Sequence, residues 1–392
     1  MPEIWFPYGP VEVAISLKVE NLFEHIESKY SPMSEESIGQ VIAGVDTNEK
    51  TCILLPNPSK VSIEIVRRLL HEFMSKNISL DTINLVSEKQ YLSHIRKSLS
   101  EVPVKVSESE SPTEVSGKID NIDIKLPRLF NASDKRIIIT DSGFDPLFGY
   151  AGGPSTLVRY LKGPLMAEAF KRRDSDIPQP GTETNPYRFA KEIAGSISNL
   201  LSIEVISDGN GISSLFSGNI IDAQTASSKT LRECSYVSGS DDLRAVIVSA
   251  GGLDFDLTLS RSLRALYNVM DGVKEKGYVG LVAECSGGLG SEALKMFVSG
   301  RLDMASIRKE DYVDGLEDLV YLKEAQKRYN LMLVSILPTY YVEMKLGLRQ
   351  FKKAGDAFSH ILSSSGAKTK VSIISNGSLT LLAKASSSQI NV

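Results

Sequence analysis

The sequence predicts an α/β protein of two α/β domains with mostly parallel sheets and a cleft between the domains. Apolar runs of strand length alternate with amphipathic segments, and this order favours parallel sheets. Three of the strand-to-helix junctions carry glycine-rich loops. With 392 residues, of which 42% are hydrophobic, the chain is longer than one typical domain and can bury more than one core.

The first half of the chain begins with a strand. Apolar residues alternate with others from Val11 to Leu17, which is the period of a half-buried strand. TCILLPNPSK predicts a buried strand, SIEIVRRLLHEFMSK an amphipathic helix, and ISLDTINLVS and KQYLSHIRKSL another strand and helix. The polar segment 106–118 predicts an exposed loop, NPYRFAKEIAGSISNLL a helix from Asn185, and SIEVISDGNGISSLFSG two strands joined by a turn at 208–211.

The second half repeats the order of strand, glycine loop and helix. RAVIVSAGG predicts a buried strand, and DLTLSRSLRALYNVMDGV predicts a helix with Asp256 as its N-cap. GYVGLVAECSGGLGSEALKMFVSG repeats the unit, and MLVSILP and KVSIISNG predict later strands. The polar stretch 236–244 predicts the boundary between an N-terminal domain, residues 1–240, and a C-terminal domain, residues 245–392.

Composition narrows the class of protein. The 44 basic and 48 acidic residues give a formal net charge of −4, which provides no electrostatic footprint for nucleic acid or an anionic membrane. No apolar run reaches the roughly 18 residues that span a bilayer, and MPEIWFPYG lacks the pattern of a signal peptide. Cys52, Cys234 and Cys285 are far apart and form neither a CxxC pair nor a disulfide framework. We expect a cytoplasmic protein without nucleic-acid or membrane partners and without a structural metal.

The sequence contains few histidines, and none of them lies in a catalytic motif. His25, His71, His94 and His360 all fall in segments that we predict to be helical, where solvated or half-buried histidines are common. HExxH and GxSxG are both absent, so neither a zinc protease nor a Ser-His-Asp hydrolase is indicated.

The glycine loops predict an anion site. In an open α/β sheet, ligands bind beyond the carboxyl ends of the strands, and a helix that follows a glycine loop offers free N–H groups to an anion. Tight turns are the alternative explanation for each loop. None of the loops is a Walker A sequence or a clean GxGxxG. The glycines concerned are Gly149, Gly152 and Gly153, then Gly251 and Gly252, then Gly287, Gly288 and Gly290.

Two basic residues are candidates for binding the anion. Arg188 lies in the first turn of a predicted helix, where a cation is disfavoured unless an anion offsets it. We expect its guanidinium to face the cleft and bind a carboxylate or phosphate. Lys60 follows Ser59 between a predicted strand and helix. Solvated surface charge, or an ion pair of Arg188 with Glu183, is the alternative.

Taken together, these segments resemble the nickel-dependent lactate racemase family in chain order. PYGPVEVAISLKVENL is similar to the opening of that family, GYAGGPS to its Gly-aromatic-small-Gly-Gly motif, and NPYRFAKEIA to its Asn-Pro-x-Arg segment. LFSGNIIDAQTAS, AVIVSAGGLDFDLTLSRSLRAL and AECSGGLGSEAL resemble later family segments. The resemblance implies a two-domain α/β fold and a nickel-pincer nucleotide held covalently by a lysine after the Gly-Gly pair. It also implies one nickel-ligating histidine and two histidines that act as acid and base on a 2-hydroxy acid.

This chain departs from that pattern at the reactive positions. Ser155 stands where the lysine is expected, and Asp145 to Phe148 stand where a histidine is expected before Gly149. The family's Gly-x-His is missing near TINLVSEKQ, and so is the histidine expected after Asn-Pro-x-Arg. Ser59 and Lys60 are the loose counterparts of an Asp-x-x-Thr-Arg pattern. We therefore expect no covalent nickel cofactor and no lactate racemisation by the family mechanism, and which cofactor, if any, binds stays open.

Three functions stay open. The first is a racemase or epimerase of 2-hydroxy acids or sugar acids, with Asp145, Lys60 and Arg188 as remaining groups. The second is a non-catalytic protein that binds a carboxylate or nucleotide, and the third is a cofactor-free enzyme that uses carboxylates. All three imply a small anionic ligand. The expected binding residues are Ser59, Lys60, Gly152, Gly153, Ser155, Arg188, Gly251, Gly252 and Gly288.

Overall fold

The computed structural model describes residues 3–27, 29–47, 49–209, 211–308 and 311–385. The strands are β1 Glu3–Tyr8, β2 Val11–Ser16, β3 Leu22–Ile26, β4 Thr51–Leu54, β5 Ile83–Ser87, β6 Lys105–Glu108, β7 Glu114–Ile119, β8 Ile122–Leu126, β9 Lys135–Asp141, β10 Gly143–Asp145, β11 Gly149–Ala151, β12 Leu200–Ser207, β13 Ile212–Asn219, β14 Tyr236–Ser238, β15 Ala245–Ser249, β16 Tyr278–Val282, β17 Asn330–Val334, β18 Arg349–Phe351, β19 Val371–Ile374 and β20 Leu381–Ala383. The α-helices are α1 Glu35–Ala43, α2 Lys60–Ser75, α3 Leu92–Ser98, α4 Arg128–Asn131, α5 Gly153–Leu161, α6 Gly163–Lys171, α7 Asn185–Gly195, α8 Ile220–Ser235, α9 Leu253–Asp256, α10 Leu259–Met270, α11 Glu292–Val298, α12 Leu316–Arg328 and α13 Ala354–Ser365. No helix in these ranges is long and apolar enough to cross a bilayer.

The first large sheet has the strand order β13-β12-β9-β4-β5-β6. Its strands run parallel except β13, which returns antiparallel beside β12. One face packs against α2 in a core that contains Ile53, Val66 and Leu85. Helices α5 and α8 contact the sheet at β9 and β12. The predicted α/β class and mostly parallel pairing are confirmed here.

The segment 106–118, predicted to be a loop, is corrected by the structure. It contains the end of the edge strand β6 and most of β7, which forms an antiparallel hairpin with β8. Their side chains are mostly half-buried or exposed, so their composition resembles that of a loop. Strands at an edge or in a two-stranded hairpin need few apolar residues.

The second large sheet is parallel throughout, with the order β18-β17-β16-β15-β19-β3. Strand β3 comes from the start of the chain and pairs with β19, and the β1–β2 hairpin packs on this sheet with α13. The two sheets therefore do not divide at residues 1–240 and 245–392, because residues 3–26 lie with the second sheet. As limits of folding domains, the two ranges stay a prediction.

Helix starts follow local capping chemistry. Ser59 accepts the N–H of Ser62 and completes a capping box at α2, and Thr184 caps α7. The N-cap of α10 is Thr258, so the prediction of Asp256 is wrong. Asp256 lies one turn earlier in α9, where its carboxylate accepts the backbone N–H of Gly9 at 2.7 Å and of Glu284 at 3.2 Å.

A buried ion pair joins the parts of the chain that carry the two sheets. Arg159, on α5, donates to both carboxylate oxygens of Asp145, at 2.9 to 3.2 Å, and to Glu317 on α12 at 2.6 Å. Both carboxylate side chains are 1% exposed. The guanidinium also lies over the ring of Phe148, 5.1 Å from its centroid. Tyr312 donates a second hydrogen bond to Glu317.

We expect Arg159→Met to lower the free energy of unfolding by about 3–5 kcal/mol, because removing one partner leaves buried carboxylates uncompensated. Arg188→Met is the matched control, since Arg188 is 60% exposed and its Nε lies 3.9 Å from Glu183. That exposed pair should contribute about 0–1 kcal/mol. Urea unfolding of both variants measures the difference, and equal losses would contradict the structural role assigned to Arg159.

Candidate functional site

A cavity of about 570 Å³ is lined by residues that follow strands of both large sheets. We call it the central cavity. From the first sheet come Ser59 after β4, Glu88 after β5 and Asp141 at the end of β9. From the second come Asp254 after β15 and Gly287 after β16. These are carboxyl ends of parallel strands, where ligands of open α/β sheets bind.

The structure brings only some of the predicted residues to this cavity. Ser59, Asp145 and Ser155 line it, together with Gly287 and Gly290 of the third glycine loop. The other predicted binding residues are not among its lining residues: Lys60, Gly152, Gly153, Arg188, Gly251, Gly252 and Gly288.

The cradle formed by Gly152 and Gly153 holds a side chain of the protein itself. The N–H of Gly153, at the start of α5, donates to Glu204 Oε1 at 2.8 Å, and Ser142 donates to Glu204 Oε2 at 2.9 Å. A Cβ on Gly152 would lie 1.4 Å from the amide oxygen of Gln224, so glycine is needed for packing. The helix N-terminus that predicted an external anion is thus occupied by Glu204.

Ser155 closes the same turn. Its hydroxyl accepts the N–H of Gly152 and donates to the carbonyl of Gly152, both at 3.1 Å, and the residue is 1% exposed. The hydroxyl is therefore engaged in capping α5.

The other glycine loops serve close packing. Gly251 and Gly252 have φ of +112° and +85°, and a Cβ on them would meet Asn376 at 2.6 Å and Pro7 at 3.0 Å. The carbonyl of Gly288 accepts the first N–H of α10, from Leu259, at 3.0 Å. These loops provide left-handed backbone and contacts between segments.

Lys60 lies beside the central cavity without lining it. Its side chain is exposed. Burial raises the pKa of Asp254, and the charge and backbone N–H of Lys60, the first residue of α2, oppose that rise. Asp254 therefore lies near the N-terminus of this helix.

Arg188 does not line the central cavity, and its role in binding an anion stays a prediction. Its guanidinium donates to the side chain of Asn185 at 3.1 Å, lies 3.9 Å from Glu183 and is 60% exposed. It borders a separate, open surface depression with Asp174 and Arg328. In the first turn of α7, the positive charge of Arg188 is thus placed beside Asn185 and Glu183 of the same segment.

Asp145 is held ionised. Burial raises its pKa, but the guanidiniums of Arg159 and Arg264 and the N–H groups of Phe148 and Leu147 outweigh burial, so the net pKa is lowered. A carboxylate held in this way is a weak base, and it binds Arg159 instead.

The main charged groups that the sequence analysis missed are two arginines and two aspartates. Arg261 and Arg264 lie one turn apart on α10, and both line the central cavity. Asp141 and Asp318 also line it. The i, i+3 spacing of the arginines after a glycine loop, and the position of Asp141 at the end of RIIITD, were readable signals. No sequence pattern marked Asp318, because it lies within an ordinary helical sequence.

Both of these aspartates have a raised pKa. Burial raises the pKa of Asp141 to about 7, with a smaller contribution from Asp254, against the opposing effects of Ser59 and Arg261. Burial and the neighbouring Glu317 raise the pKa of Asp318. Near neutral pH these two carboxyl groups therefore exchange protons more readily than ordinary aspartates.

Comparison with solved structures identifies the fold. The lactate racemase apoprotein from Thermoanaerobacterium thermosaccharolyticum aligns with 97% of this chain and 100% of its own, with a TM-score of 0.76 and 15% identity. The chain has the lactate racemase fold. A Thermotoga maritima protein of known structure aligns with 90% of this chain and 99% of its own, with a TM-score of 0.61 and 12% identity. No protein-family model and no curated protein matches the sequence.

Within this lactate racemase fold, the histidines lie away from the central cavity. His25 is on β3, not on a helix as predicted, and bonds to Ser375 at 2.9 Å. His360 packs against Tyr278 and Phe351, and His71 and His94 lie on α2 and α3. None of them lines the cavity, and the described residues contain no cluster of three or more His, Cys, Asp or Glu that could hold a metal ion.

Glu204 should make stability depend on pH. Burial raises its pKa from 4.5 to about 7, so the folded protein favours the neutral form. Its contribution is most favourable below the unfolded pKa and declines as pH rises to about 7. Glu204→Gln removes this loss, so the stability of the variant relative to wild type should rise by on the order of 3 kcal/mol from pH 5 to pH 8.

Urea unfolding of wild type and Glu204→Gln at both pH values provides the measurement. Both proteins contain the other groups near Glu204, so the effects of these groups largely cancel in the difference between the two stabilities. They are Ser142, Ser202, Gly153 and Asp141. A stability difference that does not change with pH would refute a neutral, buried Glu204.

Proposed function

We propose that the central cavity binds a small carboxylate, of the class of 2-hydroxy acids, through Arg264. The observation that supports the proposal is the position of the Arg264 side chain and the small number of contacts it makes. Its guanidinium lines the cavity, is 38% exposed and lies 3.7 Å from Asp145, a carboxylate already engaged by Arg159. Donors of Arg264 thus remain for a ligand, and guanidinium recognises carboxylates through paired hydrogen bonds.

Arg261 supports the same assignment. It lies three residues before Arg264 on α10, lines the same cavity, and donates to the backbone carbonyl of Asp254 at a long 3.4 Å. Two guanidiniums on one helical face can hold a carboxylate and a neighbouring oxygen of the same molecule. Hydroxyl groups of Ser59, Thr156 and Ser260 complete a polar lining suited to a hydroxy acid.

The substrate class follows from the fold neighbour, whose name specifies lactate. The reaction differs, because the groups that anchor and serve the nickel cofactor are replaced. Ser155 has no amine and caps α5, and no histidine lines the cavity. These side chains do not fit the covalent cofactor of the racemase family, so we propose that this protein does not racemise lactate by that route.

Two activities remain compatible with carboxylate binding. One is a non-catalytic protein that senses or carries the ligand. The other is a cofactor-free enzyme that uses carboxylates, and the raised pKa of Asp141 favours it. The acid–base candidates then move from Asp145 and Lys60 to Asp141 and Asp318. A nucleotide is less favoured, because Glu204 occupies the N-terminus of α5, where a phosphate would bind.

Arg264→Gln should weaken binding of the carboxylate. Losing one charge-assisted hydrogen-bond pair costs about 1.5–3 kcal/mol, which corresponds to an increase in Kd of roughly 10- to 150-fold. Calorimetry and thermal shift with D- and L-lactate, D- and L-malate and D- and L-glycerate provide the measurement. Arg188→Gln is the matched control and should bind as wild type does. If Arg264→Gln binds every acid as tightly as wild type, the assignment of Arg264 is wrong.

The purified protein should carry no covalent nickel cofactor. We expect the intact mass of the chain itself and no nickel-dependent interconversion of D- and L-lactate. Mass spectrometry, metal analysis and chiral chromatography check this, with the enzyme tested before and after addition of nickel. An adduct on the chain, or racemisation that appears only with nickel, would contradict the proposal.

A further inference from the structure

A segment with exposed apolar side chains follows the carboxyl end of β17. It runs from Ile336 to Lys353 and contains a short π-helix, Tyr340–Leu346, and the edge strand β18. We call it the 336–353 segment. Monomeric proteins rarely expose large contiguous apolar patches, and such patches mark interaction surfaces. The exposed apolar residues of the segment are Ile336 (57% exposed), Tyr340 (56%), Tyr341 (38%) and Met344 (74%).

The packing of the π-helix directs its apolar residues outwards. Val342 and Leu346 are fully buried and anchor the helix to the protein. Tyr340 and Met344 lie close to one turn apart in a π-helix, so they share a face. The rings of Tyr340 and Tyr341 are neighbours, with centroids 6.2 Å apart. The helix therefore has a second apolar face, which is directed to solvent.

The same segment is positively charged. It contains four basic residues and one acidic residue, Glu343, whose carboxylate accepts the backbone N–H of Gln350 at 3.1 Å. The Nζ of Lys345 lies 5.5 Å from the ring centroid of Tyr340. None of the four basic residues forms an ion pair within the described ranges. The net charge of −4 is a sum over the whole chain and does not describe this surface. The basic residues are Lys345, Arg349, Lys352 and Lys353.

The hydrogen bonding and shape of the segment disfavour a peptide as the partner. An extended peptide binds to an open sheet edge, and a helical peptide binds in a groove. At the edge strand β18, the N–H of Gln350 already donates to Glu343. No residue of the segment lines the central cavity or the depression beside Arg188. A second copy of the same surface is disfavoured too, because like charges would meet.

We propose that the 336–353 segment is a docking surface for anionic phospholipids of a membrane. Ile336 and Met344 enter the boundary between headgroups and acyl chains. The two tyrosine rings lie at the level of the headgroups, where such rings are favoured. The basic side chains bind the negative charges of the lipids. The contact is with the surface of the bilayer only, and it does not depend on the central cavity.

Co-sedimentation with vesicles tests the proposal. The full-length protein is mixed with vesicles of phosphatidylcholine and phosphatidylserine, and separately with vesicles of phosphatidylcholine alone. We expect binding to the anionic vesicles that decreases as salt is added, because salt screens the attraction between exposed charges. Binding to the neutral vesicles should be much weaker. A protein that stays in the supernatant with anionic vesicles at low salt refutes the proposal.

A charge variant tests the basic residues. Lys345→Gln/Arg349→Gln should lower partitioning onto anionic vesicles by roughly 30-fold, which is about fivefold for each basic residue near the surface. Lys368→Gln/Lys370→Gln is the matched control and should bind as wild type does. These two lysines are exposed and precede β19, so they lie at the amino ends of the parallel strands, away from the 336–353 segment.

An apolar variant tests insertion into the bilayer. Met344→Ser should lower binding to anionic vesicles by roughly tenfold, because it removes apolar area that leaves water on docking. Val19→Ser is the matched control, since Val19 is 73% exposed, close to the 74% of Met344, and precedes β3 at the amino ends of the strands. The control should bind as wild type does.

Other outcomes overturn the proposal. If wild type and both variants bind the vesicles equally, another surface meets the lipid. If a single-stranded oligonucleotide or polyglutamate binds in a manner that depends on Lys345 and Arg349, and vesicles do not bind, the surface serves a nucleic acid or an acidic peptide instead. The replaced side chains are exposed or half-buried, so thermal unfolding should match wild type. If one variant does not fold, the other decides, because charge and apolar contact are both required.

Discussion

The guanidinium of Arg159 is the interaction on which the arrangement of the central cavity depends. It bonds to Asp145 beside its own helix and to Glu317 from the other part of the fold, and both carboxylates are almost fully buried. Such a group costs desolvation energy, which is recovered only when every partner is in place. The ion pair therefore defines one relative position of the walls. Arg264, which lies 3.7 Å from Asp145, lines the cavity beside this ion pair.

Carboxyl groups of the chain itself lie at the N-termini of two helices of this protein. Glu204 accepts the first N–H of α5, and Asp254 lies near the first N–H of α2. The first turn of α10 receives the carbonyl oxygens of Gly288 and Leu289. The free N–H groups and partial positive charge of a helix start attract acceptors and anions, and side chains of the same molecule provide these without loss of translational freedom. Glycines before a helix thus permit close approach without specifying whether the group that binds there belongs to the protein or to a ligand.

The fold was predictable because it depends on short-range patterns. Apolar runs such as RIIITD and RAVIVS became central parallel strands, and SIEIVRRLLHEF became α2. The site was less predictable because it depends on pairs that are distant in sequence. Glu204 meets Gly153 across 51 residues, and Arg159 meets Glu317 across 158. Arg188 does not line the central cavity, and Asn185 and Glu183 lie beside its guanidinium, so an unfavourable position in a helix does not by itself require a ligand. Residue type and spacing indicate which groups could act, and long-range pairing decides which of them are already engaged.

The pairing of β3 with β19 has a consequence for the order in which the protein folds. Leu22 lies opposite Val371, and His25 bonds to Ser375 across 350 residues. The first large sheet, in contrast, is built from one continuous stretch, from β4 to β13. During synthesis that sheet can close while β3 has no partner, since the segment that β3 pairs with leaves the ribosome about 350 residues later. Contacts that close so long a loop form slowly in folding, so β3 stays exposed to pairing with other chains until β19 is in place.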